Sequence, residues 1–241
     1  MRKRGNALLA GVLDLFYPPR CPVCDGLLMP GELICDGCRT EAVLLREPVC
    51  KRCGKQLREE QREYCPDCAR KAHRYLQGKA VFLYKGGIRQ SLYRFKYAGK
   101  REYAVFYARE AAGLYGAWVQ KNQIEAIVPI PMYRRKQRRR GYNQAEAFAE
   151  ALGRELRLPV ERKMVRRIRD TTPQKNLNER ERKDNLKNAF QFTDNIVKYK
   201  RVLLVDDIYT TGSTIDAVAE VLISGGIKEI CFICISIGVG F

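Results

Sequence analysis

Two sets of residues in this chain have the types and the spacing that chemistry needs. The first lies in Val202-Leu-Leu-Val-Asp206-Asp207-Ile-Tyr-Thr210-Thr211-Gly212-Ser213-Thr214. Four apolar residues, two adjacent carboxylates and a hydroxyl-rich turn precede a helical pattern over 215–222. The order predicts a buried parallel strand ending in Asp-Asp, then a tight loop that opens a helix. Backbone N–H groups, hydroxyls and a helix N-terminus in such a loop favour an anion such as phosphate. Paired carboxylates at the carboxyl end of a strand suit the hydroxyls of a ribose and a nearby Mg²⁺. Together they predict a sugar-phosphate site. The plainer alternative is a strand–loop–helix turn whose threonine only caps the helix. Neither G-x-x-x-x-G-K-[ST] nor G-x-G-x-x-G occurs anywhere in the chain.

The second set is four C-x-x-C pairs, Cys21/Cys24, Cys35/Cys38, Cys50/Cys53 and Cys65/Cys68. Ten residues separate the first two pairs and eleven the last two. Two thiolates at this spacing grip one tetrahedral Zn²⁺, and a second pair closes the site. Gly26 and Gly54, just after a knuckle, let the backbone approach sulfur without a Cβ. Two complete Cys₄ sets leave no open coordination position, so two structural zincs are expected. The spacing fits two successive ribbons or an interleaved cross-brace, and an iron–sulfur cluster is the other group such a set can hold. Cys231 and Cys234 share the C-x-x-C spacing but sit in a strand pattern, where i and i+3 face opposite sides; they read as core. His73, five residues past Cys68, is not needed by either set and reads as a surface or packing residue.

The elements that must position these residues form an α/β pattern. The stretch 84–100 mixes aromatics with bases, and a helix is predicted from about 103 to 121. An apolar strand over 124–131 ends in Val-Pro-Ile-Pro, which predicts a rigid exit loop, Met132-Tyr133-Arg134, at the sheet's carboxyl edge. Ligands of open α/β sheets bind at that edge. Six of the seven residues in 134–140 are basic, so this run is expected to be solvated or to face phosphate. A helix through Leu156 follows, then a polar hairpin or flap over 166–190. Strand, helix and strand finish the chain, with Gly225-Gly226 ending the last helix.

Length and charge bound the function. The 241 residues suit one ordinary domain and a small one. The predicted division is an amphipathic helix over 1–17, a cysteine module over 18–70 and an α/β domain over 78–241. A net charge of +18 implies polyanionic partners, nucleic acid or phosphorylated metabolites. The excess is uneven, since residues 188–241 carry six acids against four bases. The longest apolar run, 230–241, is twelve residues with two glycines, too short for a spanning helix. Asp14 interrupts a signal-like start, and clustered C-x-x-C cysteines fit a reducing compartment, so the cytoplasm is expected.

The stretch 206–214 resembles the phosphoribosyl-pyrophosphate (PRPP) loop of type I phosphoribosyltransferases. Further blocks are Phe95-Lys96-Tyr97-Ala98-Gly99, Val128–Pro131, Arg140-Gly-Tyr-Asn-Gln-Ala145 and Gln174/Leu177/Arg182/Asn185. With the cysteine module they make residues 18–241 similar to the late competence protein F (ComF) family. That resemblance implies a type I phosphoribosyltransferase-like parallel sheet flanked by helices, preceded by a double zinc ribbon. It further implies a cytoplasmic protein of natural transformation that acts on entering single-stranded DNA beside a helicase, ComFA. By the same resemblance Thr210, Thr211, Gly212, Ser213 and Thr214 would cradle the 5-phosphate of PRPP. Asp206 and Asp207 would hold its ribose hydroxyls with Mg²⁺, and Met132, Tyr133 and Arg134 would face pyrophosphate. Lys96, Arg138, Arg139, Arg140, Asn143 and Gln144 would border the substrate or nucleic-acid side.

Three functions are compatible with this reading. One is transfer of a phosphoribosyl unit to an acceptor in nucleotide or nucleobase metabolism. Another is a DNA-uptake factor whose basic grooves follow phosphates while aromatics stack bases, with Tyr84, Tyr93, Phe95, Tyr97, Tyr133 and Tyr142 as candidates. The third is a regulator that senses PRPP.

Overall fold

The apolar runs of the α/β pattern are strands of one parallel sheet. The structure, a computed structural model, describes residues 18–42, 44–170, 186, 188–193 and 198–238. The helix expected over 1–17 and the Gln174/Leu177/Arg182/Asn185 block lie outside the described residues. In chain order the elements are α1 (Asp36–Arg39), α2 (Pro66–Arg70), β1 (Gln77–Leu83), α3 (Gly86–Tyr97), α4 (Tyr103–Lys121), β2 (Ala126–Pro129), α5 (Arg134–Arg140), α6 (Gln144–Leu156), β3 (Val165–Arg167), β4 (Phe190–Phe192), β5 (Arg201–Tyr209), α7 (Ser213–Ser224) and β6 (Glu229–Ile237). The sheet order is β1-β6-β5-β2, every pair parallel, and β3 with β4 forms a separate antiparallel pair.

A parallel strand inside such a sheet is covered on both faces, which explains the unbroken runs Val202–Val205 and Ile230–Ile237. One face packs against α3, α4 and α6 through Leu92, Phe106 and Phe148. The other packs against α7 and the β3–β4 pair through Val218, Leu222 and Phe190. Cys231 falls in the first core and Cys234 in the second, as strand alternation requires.

The cysteine module does not stand apart as a lobe with its own core. Cys21, Val23, Leu28 and Ile34 join the first core, while Cys50, Cys53 and Leu57 join the second. One ribbon therefore flanks each side of the sheet. The segment between them runs along the outer edge of β1, where Leu44 bridges Phe82 and the Leu45 amide donates to the Val81 carbonyl at 3.1 Å. That pairing covers a sheet edge that would otherwise be open to another strand. The second ribbon meets the start of β1 at Gly54, whose φ is +76° and where a Cβ would stand 3.0 Å from the Gly78 carbonyl oxygen.

Three local expectations are corrected. The strand predicted to end at Asp-Asp continues through Ile208 and Tyr209, which pair with Ser236 and Ile237 of β6. The helix begins at Ser213, so Ser213 and Thr214 belong to its first turn. The basic run 134–140 is a helix, ended by Gly141 at φ +84°. Arg and Lys are good helix formers, and a left-handed glycine is a common helix stop.

Candidate functional site

Asp206 and Asp207 are the sixth and seventh residues of the nine-residue β5, so their side chains leave opposite faces of the sheet. On the α3 side, Lys96 Nζ lies 2.9 Å from Asp207 Oδ2, and the two side chains are only 16% and 17% exposed. On the hairpin side, Asp206 Oδ1 accepts the Asp207 amide at 2.8 Å and feels the charge of Arg167 from β3. Burial first, then the neighbouring Asp207 charge, pushes the Asp206 carboxyl up to about 7. The Asp207 amide, Lys96 and Arg167 act against that rise. The pair brackets the sheet edge, with Asp207 paired to a lysine and Asp206 held above the ordinary carboxylate range by its burial.

The phosphate-loop candidates follow directly. Thr210 is exposed, Thr211 Oγ1 and Ser213 Oγ are 3.0 Å apart, and Gly212 caps α7 at φ +80°. The first amides of a helix have no intrahelical acceptor, so this turn presents N–H groups and hydroxyls together. Tyr209 anchors the loop from below. Its ring stacks on Phe232 at 4.9 Å, and its hydroxyl meets that of Tyr75 at 2.7 Å.

The exit loop from β2 stands beside this edge. Pro129 pairs with Val205, and the Ile130 amide donates to the Val205 carbonyl at 3.0 Å, so Met132, Tyr133 and Arg134 leave the sheet at the same carboxyl end as Asp206. Asn143 and Gln144 are buried and bonded within the protein. Asn143 Nδ2 donates to the Ile130 carbonyl at 3.0 Å while its Oδ1 caps α6 by accepting the Ala145 amide. Gln144 Oε1 accepts from Arg140 Nη1 at 3.0 Å. Arg140 also lies over the Tyr97 ring, 4.9 Å from its centroid. Arg138 and Arg139 are exposed at the end of α5.

Beside the exit loop is a cavity of about 360 Å³, whose lining includes Met132, Arg134, Lys163, Arg166 and Arg167. A larger one of about 580 Å³ lies between the first ribbon and the start of α4, lined by Pro18, Leu28 and Phe106. Neither cavity is lined by Asp206, Asp207 or residues 210–214; the smaller one borders the site only through Met132, Arg134 and Arg167.

Among the stacking candidates, Phe95 is fully buried and cannot meet a base. Tyr142 is spent on the Phe95 carbonyl, to which its hydroxyl donates. Tyr93 and Tyr97 remain open, 65% and 52% exposed, with ring centroids 5.0 Å apart.

The eight ribbon cysteines form two sets, Cys21/Cys24/Cys35/Cys38 and Cys50/Cys53/Cys65/Cys68, with the sulfurs of each set within 4.8 Å of one another. The interleaved cross-brace is thereby excluded. A tetrahedron with Zn–S bonds of about 2.3 Å has edges of about 3.8 Å. Cys24 and Cys35 sulfurs are 3.8 Å apart, and those of Cys53 and Cys65 are 3.6 Å apart. Both sets fit structural zinc sites. Lys55, buried and 2.5 Å from Asp67 Oδ2, lies near Cys53 and Cys65 and offsets the negative charge of the second set.

Sequence reasoning missed His73. It is buried, stacked on Tyr75 at 4.7 Å, and its Nδ1 lies 2.9 Å from Asp216 Oδ2 in the first turn of α7. No local pattern announces it, because its partner is 143 residues away. Arg167 was also passed over, as one base among many in a polar stretch.

Among the described residues no helix is long and apolar enough to cross a membrane. Residues 12–69 match the family model of the double zinc ribbon domain, and residues 142–236 match that of the phosphoribosyl transferase domain. Competence protein F of Haemophilus influenzae is 31% identical over 89% of this chain and 95% of its own length. Competence protein ComFC of Bacillus subtilis is 27% identical over 83% and 82%. DNA utilization protein YhgH of Escherichia coli is 29% identical over 92% and 98%. Matched across nearly its whole length in this way, with two four-cysteine sets ahead of a phosphoribosyltransferase-type sheet, the chain belongs to the competence protein F family.

Proposed function

We propose that the 206–214 site binds PRPP with Mg²⁺, and that the protein handles single-stranded DNA in the cytoplasm during natural transformation, beside the helicase ComFA. The observation that carries the PRPP reading is the convergence of three parts at one sheet edge. These are the acid pair of β5, the Thr210–Thr214 turn at the start of α7, and the exit loop Met132–Arg134. The turn would take the 5-phosphate, Asp206 and Asp207 the ribose hydroxyls, and Met132, Tyr133 and Arg134 the pyrophosphate. Mg²⁺, when bound, would neutralise charge on the pyrophosphate. Lys96, only 16% exposed, pairs with Asp207 at 2.9 Å, and the charge of Arg167 acts on Asp206 from the hairpin.

The DNA reading rests on the charge of +18 and on an aromatic and basic surface around α3 and α5. Exposed Tyr93 and Tyr97 offer ring faces, and Arg138 and Arg139 offer charges to a phosphate backbone. The matched relatives are named for competence and for DNA utilization. A second reading, an active phosphoribosyltransferase of nucleotide metabolism, is favoured by the cavity of about 360 Å³ beside Met132 and Arg134, which has room for a small acceptor.

Thermal melting in rising PRPP and Mg²⁺ tests the proposal. A ligand at 100 times its Kd stabilises by about 2.7 kcal/mol, a shift easily read. Melting unmoved by millimolar PRPP with Mg²⁺ would overturn it. Release of pyrophosphate in the presence of a nucleobase, with no binding of single-stranded oligonucleotide, would favour the second reading.

A further inference from the structure

The segment that leaves the second ribbon is fastened to the phosphate turn more closely than packing alone requires. Asp216, in the first turn of α7, accepts from His73 Nδ1 at 2.9 Å and from the Arg74 amide at 3.0 Å, and pairs with Lys71 Nζ at 3.3 Å. Burial works to raise the Asp216 carboxyl, yet the bonds from His73 and Arg74 hold it below the ordinary carboxylate value. An ionised carboxylate only accepts, so the ring proton of His73 sits on Nδ1. The other nitrogen, Nε2, is buried with no hydrogen-bond partner among the described residues, which leaves Asp216 as the ring's polar anchor. So anchored, the ring presses its Cε1 edge on Gly212: a Cβ added to that glycine would stand 3.2 Å from Cε1 and 2.6 Å from Tyr209 Oη. The Tyr75 hydroxyl, two residues on, holds the Tyr209 hydroxyl at 2.7 Å.

We infer that His73 is a positioning residue for the phosphate turn, supplied by the segment that leaves the second ribbon and acting through Asp216 and Gly212 on whatever sugar phosphate that turn binds. The inference rests on the phosphate-binding reading of residues 210–214 and adds to it the residue that sets the turn's geometry. A left-handed glycine at the mouth of a helix has few alternatives of its own once its two sides are walled by rings. His73 and Tyr209 are those walls. Loss of the wall on the His73 side should disturb the amides that meet phosphate and leave the pyrophosphate end of the site alone.

The test compares two probes by calorimetry on the full zinc-loaded chain, ribose 5-phosphate and Mg²⁺-pyrophosphate. His73→Ala removes the wall and the donor together, whereas His73→Phe keeps a ring on Tyr75 and beside Gly212 without the donor. Asp216→Ala leaves the imidazole in place without its acceptor and serves as the second variant if His73→Ala folds poorly. The expected result is about a tenfold loss of ribose 5-phosphate affinity in His73→Ala and Asp216→Ala, the scale of one hydrogen bond to a charged group. Affinity for Mg²⁺-pyrophosphate and zinc content should be unchanged, and His73→Phe should recover part of the loss. Unchanged ribose 5-phosphate binding in both loss variants, or an equal fall for both probes, would overturn this inference alone. Folded wild type that binds neither probe would overturn it together with the reading beneath it.

Discussion

Asp206 makes the protein's stability depend on pH in a direction opposite to that of an ordinary paired carboxylate. Its carboxyl is pushed to about 7 in the fold against an ordinary value of 3.8, so the folded state holds a proton that the unfolded chain releases. The sign follows: this contribution is fully present below the unfolded value and is lost as pH rises through about 7. Integrating the linkage between those two values gives a loss of ~4 kcal/mol in all, of which ~2 kcal/mol falls between pH 5.5 and 7.5. Asp206→Asn cannot ionise and lacks the decline. Urea unfolding of wild type and Asp206→Asn across that window should therefore diverge, the variant gaining ~2 kcal/mol on the wild type as pH rises. Asp207→Asn removes a neighbouring charge that raises Asp206, so it should move the decline to lower pH. A difference between wild type and Asp206→Asn that stays constant over the window would refute the claim that a desolvated acid sits at this position.

Three further outcomes follow from the geometry. Zinc-loaded protein should contain two zinc ions per chain, and Cys50→Ser should lose one and lower the melting temperature; iron absorbance or a single metal would contradict the two sulfur sets. Gly212→Ala should cost about 1–3 kcal/mol in urea unfolding, because a Cβ would fall 2.6 Å from Tyr209 Oη on a backbone at φ +80°; an unchanged unfolding midpoint would argue against the packed turn. Reversing Arg138 and Arg139 to Glu should flatten the salt dependence of single-stranded DNA binding by a slope of at least about 1.4, and an unaltered slope would remove α5 from the DNA surface.

The features read correctly from sequence are those whose signal is local. Cysteine spacing announced four-sulfur zinc sites, because a tetrahedral ion demands two ligands per knuckle. It did not reveal their pairing, since successive and interleaved arrangements use the same spacing, and only the fold separates a ribbon on each side of the sheet. Apolar runs announced β5 and β6, but Asp206-Asp207 read as a strand end because charge is rare inside a sheet. Pairing with β6 overrides that and carries the strand on to Tyr209. The run 134–140 has no apolar period, so the helix α5 left no amphipathic trace. His73 was illegible for a different reason. Its meaning depends on Asp216 and Gly212, brought to it by a fold that joins residues far apart in the chain.

Calorimetric titration of PRPP with Mg²⁺ into zinc-loaded wild type and into the Asp206→Asn/Asp207→Asn double variant tests the central claim most directly. The account predicts one saturable site in the wild type and its loss in a double variant that still melts cooperatively and still binds single-stranded oligonucleotide. Folded wild type that takes up no PRPP, or a double variant that binds it as the wild type does, would contradict the claim that the acid pair and the Thr210–Thr214 turn form a working phosphoribosyl site.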